Sequence, residues 1–330
     1  MHRVDHRYAS ALRAVQEVPL GEPTLVGRSA ALERMRRRIE IVGRSHATVF
    51  ISGETGTGKD LVARAVHFAS ARCDGPFVAV NCASLCESLL TVELFGVERG
   101  AYTGASTSRP GLFVAAHGGT LFLDEVGDMP LPMQSALLRA IEAREICPVG
   151  STAFRKVDVR FVAASHSDMV DLVRKGLFRD DLRYRLEVTR VDVPPLRDHL
   201  EDLPELCEYL LAEAKRAYAL PDCRLSVDAL WKLAARRWPG NVRELKHVLV
   251  EATLNAEGGI IQSADIPDER AADVPAAQAS AGVSDVDGEA LRADMIRRAL
   301  RAAAGNRVRA AKLLGVSRST LYRQLAAYGM

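Results

Sequence analysis

The segment Gly53-Glu54-Thr55-Gly56-Thr57-Gly58-Lys59-Asp60 limits the folds open to this 330-residue chain more than any other part of it. Its GxxxxGK spacing is that of a phosphate-binding loop, which needs a strand before it and a helix after it. The glycines let backbone N–H groups turn inward around a phosphate, and the helix N-terminus adds the positive end of its dipole. Both flanks are present. ATVFIS (47–52) is a short apolar run, and KDLVARAVHFAS carries Leu61, Ala65 and Phe68 at helical spacing. The expected ligand is ATP, cradled by Gly53 to Asp60, with Lys59 bridging the β- and γ-phosphates. Asp60 stands where a Ser or Thr hydroxyl usually holds Mg²⁺, so the metal ion must be held by other residues.

The expected partner of the loop is Gly119-Thr-Leu-Phe-Leu-Asp124-Glu125, in which an apolar strand delivers two carboxylates to a sheet edge, the arrangement of a Walker B motif. Asp124 would organise Mg²⁺ through its waters, and Glu125 would orient or deprotonate the attacking water. Further apolar runs at FVAV (77–80) and VRFVAAS (159–165) alternate with helical segments such as MQSALLRAIEAREI (133–146). That alternation predicts an α/β domain with a mostly parallel sheet over residues 25–193, after a short extension, 1–24. From Pro194 the segments HLEDLPELCEYLLAEAKRAYA, SVDALWKLAARR and NVRELKHVLVEATLNA all have helical periodicity, which predicts an α-helical subdomain over 194–266.

Residues 267–288 hold three valines as their only large apolar side chains and five acids, too little to build a core, and read as a linker. Charge then changes sign. From Glu289 onward there are nine basic and two acidic residues, leaving 35 basic and 40 acidic residues for the rest. Localised positive charge on a small domain over 289–330 is what attraction to a nucleic-acid phosphate backbone requires, although a basic helix can also be a solvated face. With 48% hydrophobic residues and no long apolar run, the chain does not read as a membrane protein, and a cytoplasmic location is expected. Cys73, Cys82, Cys86, Cys147, Cys207 and Cys223 show no metal-binding spacing and read as free thiols.

Between loop and Walker strand lies Gly100-Ala101-Tyr102-Thr103-Gly104-Ala105. Taken alone it predicts a mobile loop with an apolar tip. With the motifs on either side, the chain resembles the sigma-54 activators, whose AAA+ domain carries a GAFTGA loop; here Tyr102 replaces the Phe. The resemblance covers about Val26 to Ile266 and resumes in the tail. It implies a homo-oligomeric ring, usually a hexamer, with ATP between subunits. Hydrolysis would drive residues Gly100 to Ala105 against the sigma-54 RNA polymerase holoenzyme to melt the promoter.

The resemblance also implies roles for single residues. Asn81 falls where the family has a switch residue that holds the catalytic Glu away from water. Ser165 and His166 occupy the sensor position, where Thr-Asn is the commoner pair. Arg179 and Arg185 match arginine fingers that reach a neighbouring subunit's γ-phosphate, with Arg183 as a solvated neighbour. Trp238-Pro-Gly-Asn-Val-Arg243-Glu-Leu matches a lid signature in which Arg243 is a second sensor. The tail from Gly305 to Arg323 resembles a Fis-type helix-turn-helix. In it Asn306 and Ser317 would be N-caps and Gly315 the turn, with Leu313, Leu314, Val316 and Leu321 packing and Arg318, Ser319, Thr320 and Arg323 facing an upstream site on double-stranded DNA. The stripe Leu291, Met295, Ile296, Ala299, Leu300 and Ala303 predicts a helix ahead of it. Because few residues precede Leu25, regulation is expected from abundance or from a separate regulatory protein acting in trans. A protein-remodelling AAA+ machine and a repressor with a dead ATPase are the rival readings; the loop and basic tail argue against the first, and Lys59, Asp124, Glu125, Arg179 and Arg185 against the second.

Overall fold

A computed structural model describes residues 23–84, 86–101, 107–268 and, in the tail, 293, 296, 297, 300, 306, 307 and 318–327. Two compact units emerge. One is Glu33–Val193 with the segment ending at Leu25; the other joins Val26–Leu32 to the chain from Pro194 onward.

In chain order the first unit contains α1 (Ala30–Gly43) from Glu33 onward, β1 (Val49–Ser52), α2 (Lys59–Phe68), β2 (Phe77–Asn81), α3 (Glu87–Phe95), β3 (Gly96–Val97), β4 (Arg109–Pro110) and α4 (Leu112–Ala115). There follow β5 (Thr120–Asp124), α5 (Leu131–Glu142), β6 (Glu145–Ile146), β7 (Arg155–Lys156), β8 (Arg160–Ser165), α6 (Met169–Arg174), α7 (Asp180–Leu186) and β9 (Thr189–Asp192). The main sheet has the order β2-β5-β8-β1-β9, and its neighbouring strands are parallel. Runs such as VFIS and TLFLD suit it because helices cover both faces of a parallel sheet, so most side chains of a central strand are buried. Val49, Ile51, Leu121 and Leu123 have no exposure, and Leu137 of α5 and Leu182 of α7 are buried in the same unit. All five strands end at one edge, so the loops after β1, β2, β5 and β8 meet there.

The helix expected over 133–146 runs instead from Leu131 to Glu142. Arg144 takes a left-handed backbone, φ 54°, which no helix can continue through, and its carbonyl accepts the Val157 N–H at 2.9 Å. Glu145–Ile146 then pairs antiparallel with Arg155–Lys156.

A second ribbon, β3 with β4, closes the base of the 98–108 loop. Gly96, at φ 82°, and Gly111 approach so closely that a Cβ on Gly111 would lie 2.3 Å from the Gly96 nitrogen. This ribbon is tied to the 147–154 loop: the Val149 N–H donates to Gly96 O (2.9 Å), the Glu98 N–H donates to Val149 O (3.0 Å), and Arg155 pairs with Glu98.

The second unit packs α8 (Leu203–Tyr218), β10 (Arg224–Leu225), α9 (Val227–Ala234), α10 (Asn241–Asn255) and β11 (Ile260–Ile261). Its core holds Leu196, Leu203, Leu233, Leu245, Leu249 and the fully buried Trp238, whose indole N–H donates to Leu233 O at 3.0 Å. The Pro-Gly-Asn turn after Trp238 lets the Asn241 carboxamide oxygen accept the Leu196 N–H (2.8 Å), while Glu244 accepts the Gly240 N–H (2.9 Å) and caps α10. Asp202 accepts the N–H groups of Arg28 and Ser29 at 2.6 and 2.9 Å, fixing Val26–Leu32 to this unit. In the tail a helix spans Arg318–Ala327 and buries Leu321 and Leu325, four residues apart on one face. Ile296 is also buried, and Arg323 is exposed. Leu313, Leu314, Gly315, Val316 and Ser317 lie outside the described residues, as do Leu291, Met295, Ala299 and Ala303. Among the described residues no helix is long and apolar enough to cross a membrane, and all six cysteines are free.

Candidate nucleotide site

The loop after β1 has the backbone that its glycines were expected to supply. Gly56 and Gly58 take φ 81° and 91°, where a side chain is disfavoured, and Gly58 forms the N-terminal boundary of α2. Thr57 Oγ1 donates to Glu54 O at 2.8 Å and braces the turn. Lys59, the first residue of α2, has a buried side chain whose Nζ donates to Gly53 O (3.1 Å) and Glu54 O (3.4 Å). Thr55 and Asp60 are exposed, and Asp60 sits in the first helical turn, where a negative charge suits the dipole.

Opposite stand the carboxylates. Asp124 ends β5, and its Oδ1 accepts the Glu125 N–H at 3.1 Å. Burial and the adjacent Glu125 charge raise its pKa; Lys59 and a hydrogen bond from Asn81 only partly offset them. Glu125 leaves the strand in a left-handed conformation, φ 50°. Its Oε1 pairs with Lys59 Nζ at 3.1 Å, and its Oε2 accepts the His166 backbone N–H (3.1 Å) and Nδ1 (2.7 Å). Burial pushes this carboxyl up, but the His166 hydrogen bonds and the Lys59 charge outweigh it, and the group titrates below the usual glutamate value. An ionised acceptor requires the proton on His166 Nδ1.

The geometry differs from the expectation for Asn81. Its Nδ2 donates to Asp124 Oδ2 (3.1 Å), not to Glu125, because β2 and β5 pair with Asn81 directly opposite Asp124. The side chain that grips Glu125 belongs to His166, just beyond β8. Asp128 escaped the sequence reading altogether; ligand atoms of Glu125, Asp128 and His166 all lie within 4.8 Å of one another. Its only sequence signal is its place three residues after Glu125. For Mg²⁺, a hard cation that prefers oxygen, the Asp124 carboxylate at the end of β5 is a chemically suitable donor despite Asp60 in the hydroxyl's place.

The remaining residues lie elsewhere. Arg179 precedes α7 and forks onto Asp181 at 3.0 and 2.7 Å while donating to Ser135 Oγ at 3.0 Å. Arg185 donates to Glu142 at 2.8 Å. Both are exposed, whereas Leu182 and Leu186 of the same helix point inward. Arg183 pairs with Asp180 and Glu187. Gly100, at φ 86°, and Ala101 begin the GAYTGA segment, and Tyr102, Thr103, Gly104 and Ala105 lie outside the described residues. Arg243 is exposed on α10 of the second unit, and Arg318, Ser319 and Thr320 open the tail helix.

The Sigma-54 interaction domain family matches residues 25–192. The chain belongs to this family. The AAA+ ATPase lid domain matches 197–282, and the Fis family of bacterial regulatory proteins matches 291–328. The transcriptional regulatory protein ZraR of Klebsiella oxytoca is 44% identical over 321 residues, covering 94% of this chain and 70% of its own length. The response regulator protein PilR of Pseudomonas aeruginosa is 42% identical over 333 residues, covering 97% and 74%. Among solved structures, NtrX from Brucella abortus in complex with ATP aligns with a TM-score of 0.70 at 32% identity, over 98% of this chain and 72% of its own. This sigma-54 family member is a transcriptional activator with an AAA+ ATPase domain, a lid and a helix-turn-helix DNA-binding domain.

Proposed function

We propose that the chain hydrolyses ATP at the edge where β1, β2, β5 and β8 end, and that hydrolysis works the GAYTGA loop against sigma-54 to remodel the closed promoter complex. The observation that carries this reading is the meeting of the P-loop lysine and the second Walker carboxylate, Lys59 Nζ to Glu125 Oε1, at 3.1 Å. A phosphate chain cradled by Gly53 to Asp60 takes Lys59 as its counter-charge. Glu125, ionised and aimed at the same space, accepts a proton from the attacking water. Asp124 would organise Mg²⁺ through its waters, and that ion would supply charge neutralisation on the phosphates.

Arg179 and Arg185, rigid and always charged, complete the site from a neighbouring subunit, which makes a homo-oligomeric ring, of hexameric size, the working form. Arg243 reads nucleotide state in the lid. Tyr102 and Thr103 form the tip that touches sigma-54, with Gly100 and Gly104 as hinges. Arg318, Ser319, Thr320 and Arg323 face upstream DNA, some on bases and some on phosphate. The test is a pair of variants. Lys59→Ala should lose nucleotide binding, and Glu125→Gln should bind ATP yet barely hydrolyse it. Wild-type hydrolysis by Glu125→Gln refutes the assignment of the base, and wild-type affinity in Lys59→Ala refutes that of the cradle.

A further inference from the structure

We propose that His166 is a positioning residue that fixes the Glu125 carboxylate during hydrolysis, acting on the base and not reading the γ-phosphate. This rests on the reading of Glu125 as the base. Both oxygens of Glu125 are engaged, but the two anchors differ in permanence. The anchor on Oε1 is Lys59, a P-loop lysine, and an incoming phosphate chain competes for that same ammonium with more negative charge than one carboxylate offers. The anchor on Oε2 is His166, which supplies two donors to one oxygen, its backbone N–H at 3.1 Å and Nδ1 at 2.7 Å.

The frame behind this contact is rigid on both sides. The Glu125 backbone is pinned by Asp124 Oδ1 on its N–H and by the Asp128 N–H on its carbonyl, at 3.1 Å each. What remains free is the rotation of the Glu125 side chain, and a single anchor at the carboxylate sets it. The His166 backbone follows directly on β8, and Ser167 lies against the far ring nitrogen, Nε2, at 3.4 Å. Asn81 is not available for the task, since its amide serves Asp124. Asparagine at 166 could keep the function, because its Nδ2 falls near the place of the imidazole Nδ1; leucine offers the bulk without the donor.

The experiment compares full-length wild type, His166→Leu and His166→Asn, measuring kcat for ATP hydrolysis and, separately, the Kd of a fluorescent ATP analogue. His166 is partly exposed, so neither variant disturbs a core. The expected result is a kcat about ten- to a hundredfold lower in His166→Leu, the scale of a misplaced catalytic group. Its Kd should stay within about twofold, and most of the rate should return in His166→Asn. A Kd that rises as far as kcat falls would mean that His166 reads phosphate, and it overturns the inference. So does an unchanged kcat in His166→Leu, or His166→Asn no better than His166→Leu. Glu125→Gln, assayed beside them, separates the two levels: inactive Glu125→Gln with unaffected His166→Leu rejects this inference alone, and active Glu125→Gln rejects the base itself.

Discussion

Cys82 and Cys86, four residues apart, show how far environment alone separates like side chains. Burial, followed by the charges of Asp124, Asp128 and Glu125, pushes the Cys82 thiol far above its ordinary value, and burial does the same to Cys207. Cys86 is exposed ahead of α3, and a hydrogen bond with Ser88 lowers its pKa. Since the thiolate is the nucleophile, iodoacetamide at neutral pH should alkylate Cys86 first and spare Cys82 and Cys207 until the protein is denatured. Peptide mapping after timed quenching reads the order, and early modification of Cys82 would contradict it. At this scale the sequence was legible where a spacing carries the chemistry. Gly53 to Lys59 and Asp124-Glu125 could be placed on loop and strand end because strand, turn and helix must follow one another. The partners of Asn81 and His166 could not be read, since register decides them: Asn81 falls opposite Asp124 only because β2 and β5 pair as they do.

At the scale of elements, periodicity found the buried strands. The runs at 47–52, 77–80, 120–124 and 159–165 hold β1, β2, β5 and β8. It missed β9, whose Arg190 and Asp192 are exposed on the sheet's edge and give it no continuous apolar run. It also missed the two-residue ribbons, too short for any period to show. One of these, β3 with β4, deserves a direct test through Gly111→Ala. The new methyl would meet the Gly96 nitrogen and the Leu94 carbonyl, both backbone atoms that cannot swing aside. The expected cost is about 1–3 kcal/mol of stability. The P-loop and its carboxylates lie on other elements, so open-complex formation should fall more than ATP hydrolysis does. Calorimetry with the two activity assays checks this; equal losses in both would show that the ribbon serves the ATPase fold as a whole.

For the whole molecule, the prediction concerns shared sites. If Arg185 serves its neighbour, mixing Arg185→Ala subunits with Lys59→Ala subunits should restore part of the hydrolysis that each lacks, at interfaces where an intact loop meets an intact finger. No recovery in rings shown to be mixed, by two-colour labelling for example, would argue for a site complete within one chain. The α/β class and the helical second unit were legible from alternation of apolar runs; which strands are neighbours was not, because sequence order and sheet order differ. That difference also has a consequence during synthesis. Val49 of β1 pairs with Val162 on one side and Thr189 on the other, each more than a hundred residues later in the chain. At ribosomal speeds of about 5–20 residues per second, β1 waits on the order of ten seconds for its first partner. Through that interval Val49, Phe50 and Ile51, later among the most buried side chains, have no sheet to join, so the nascent chain offers chaperones a binding segment that the finished protein conceals.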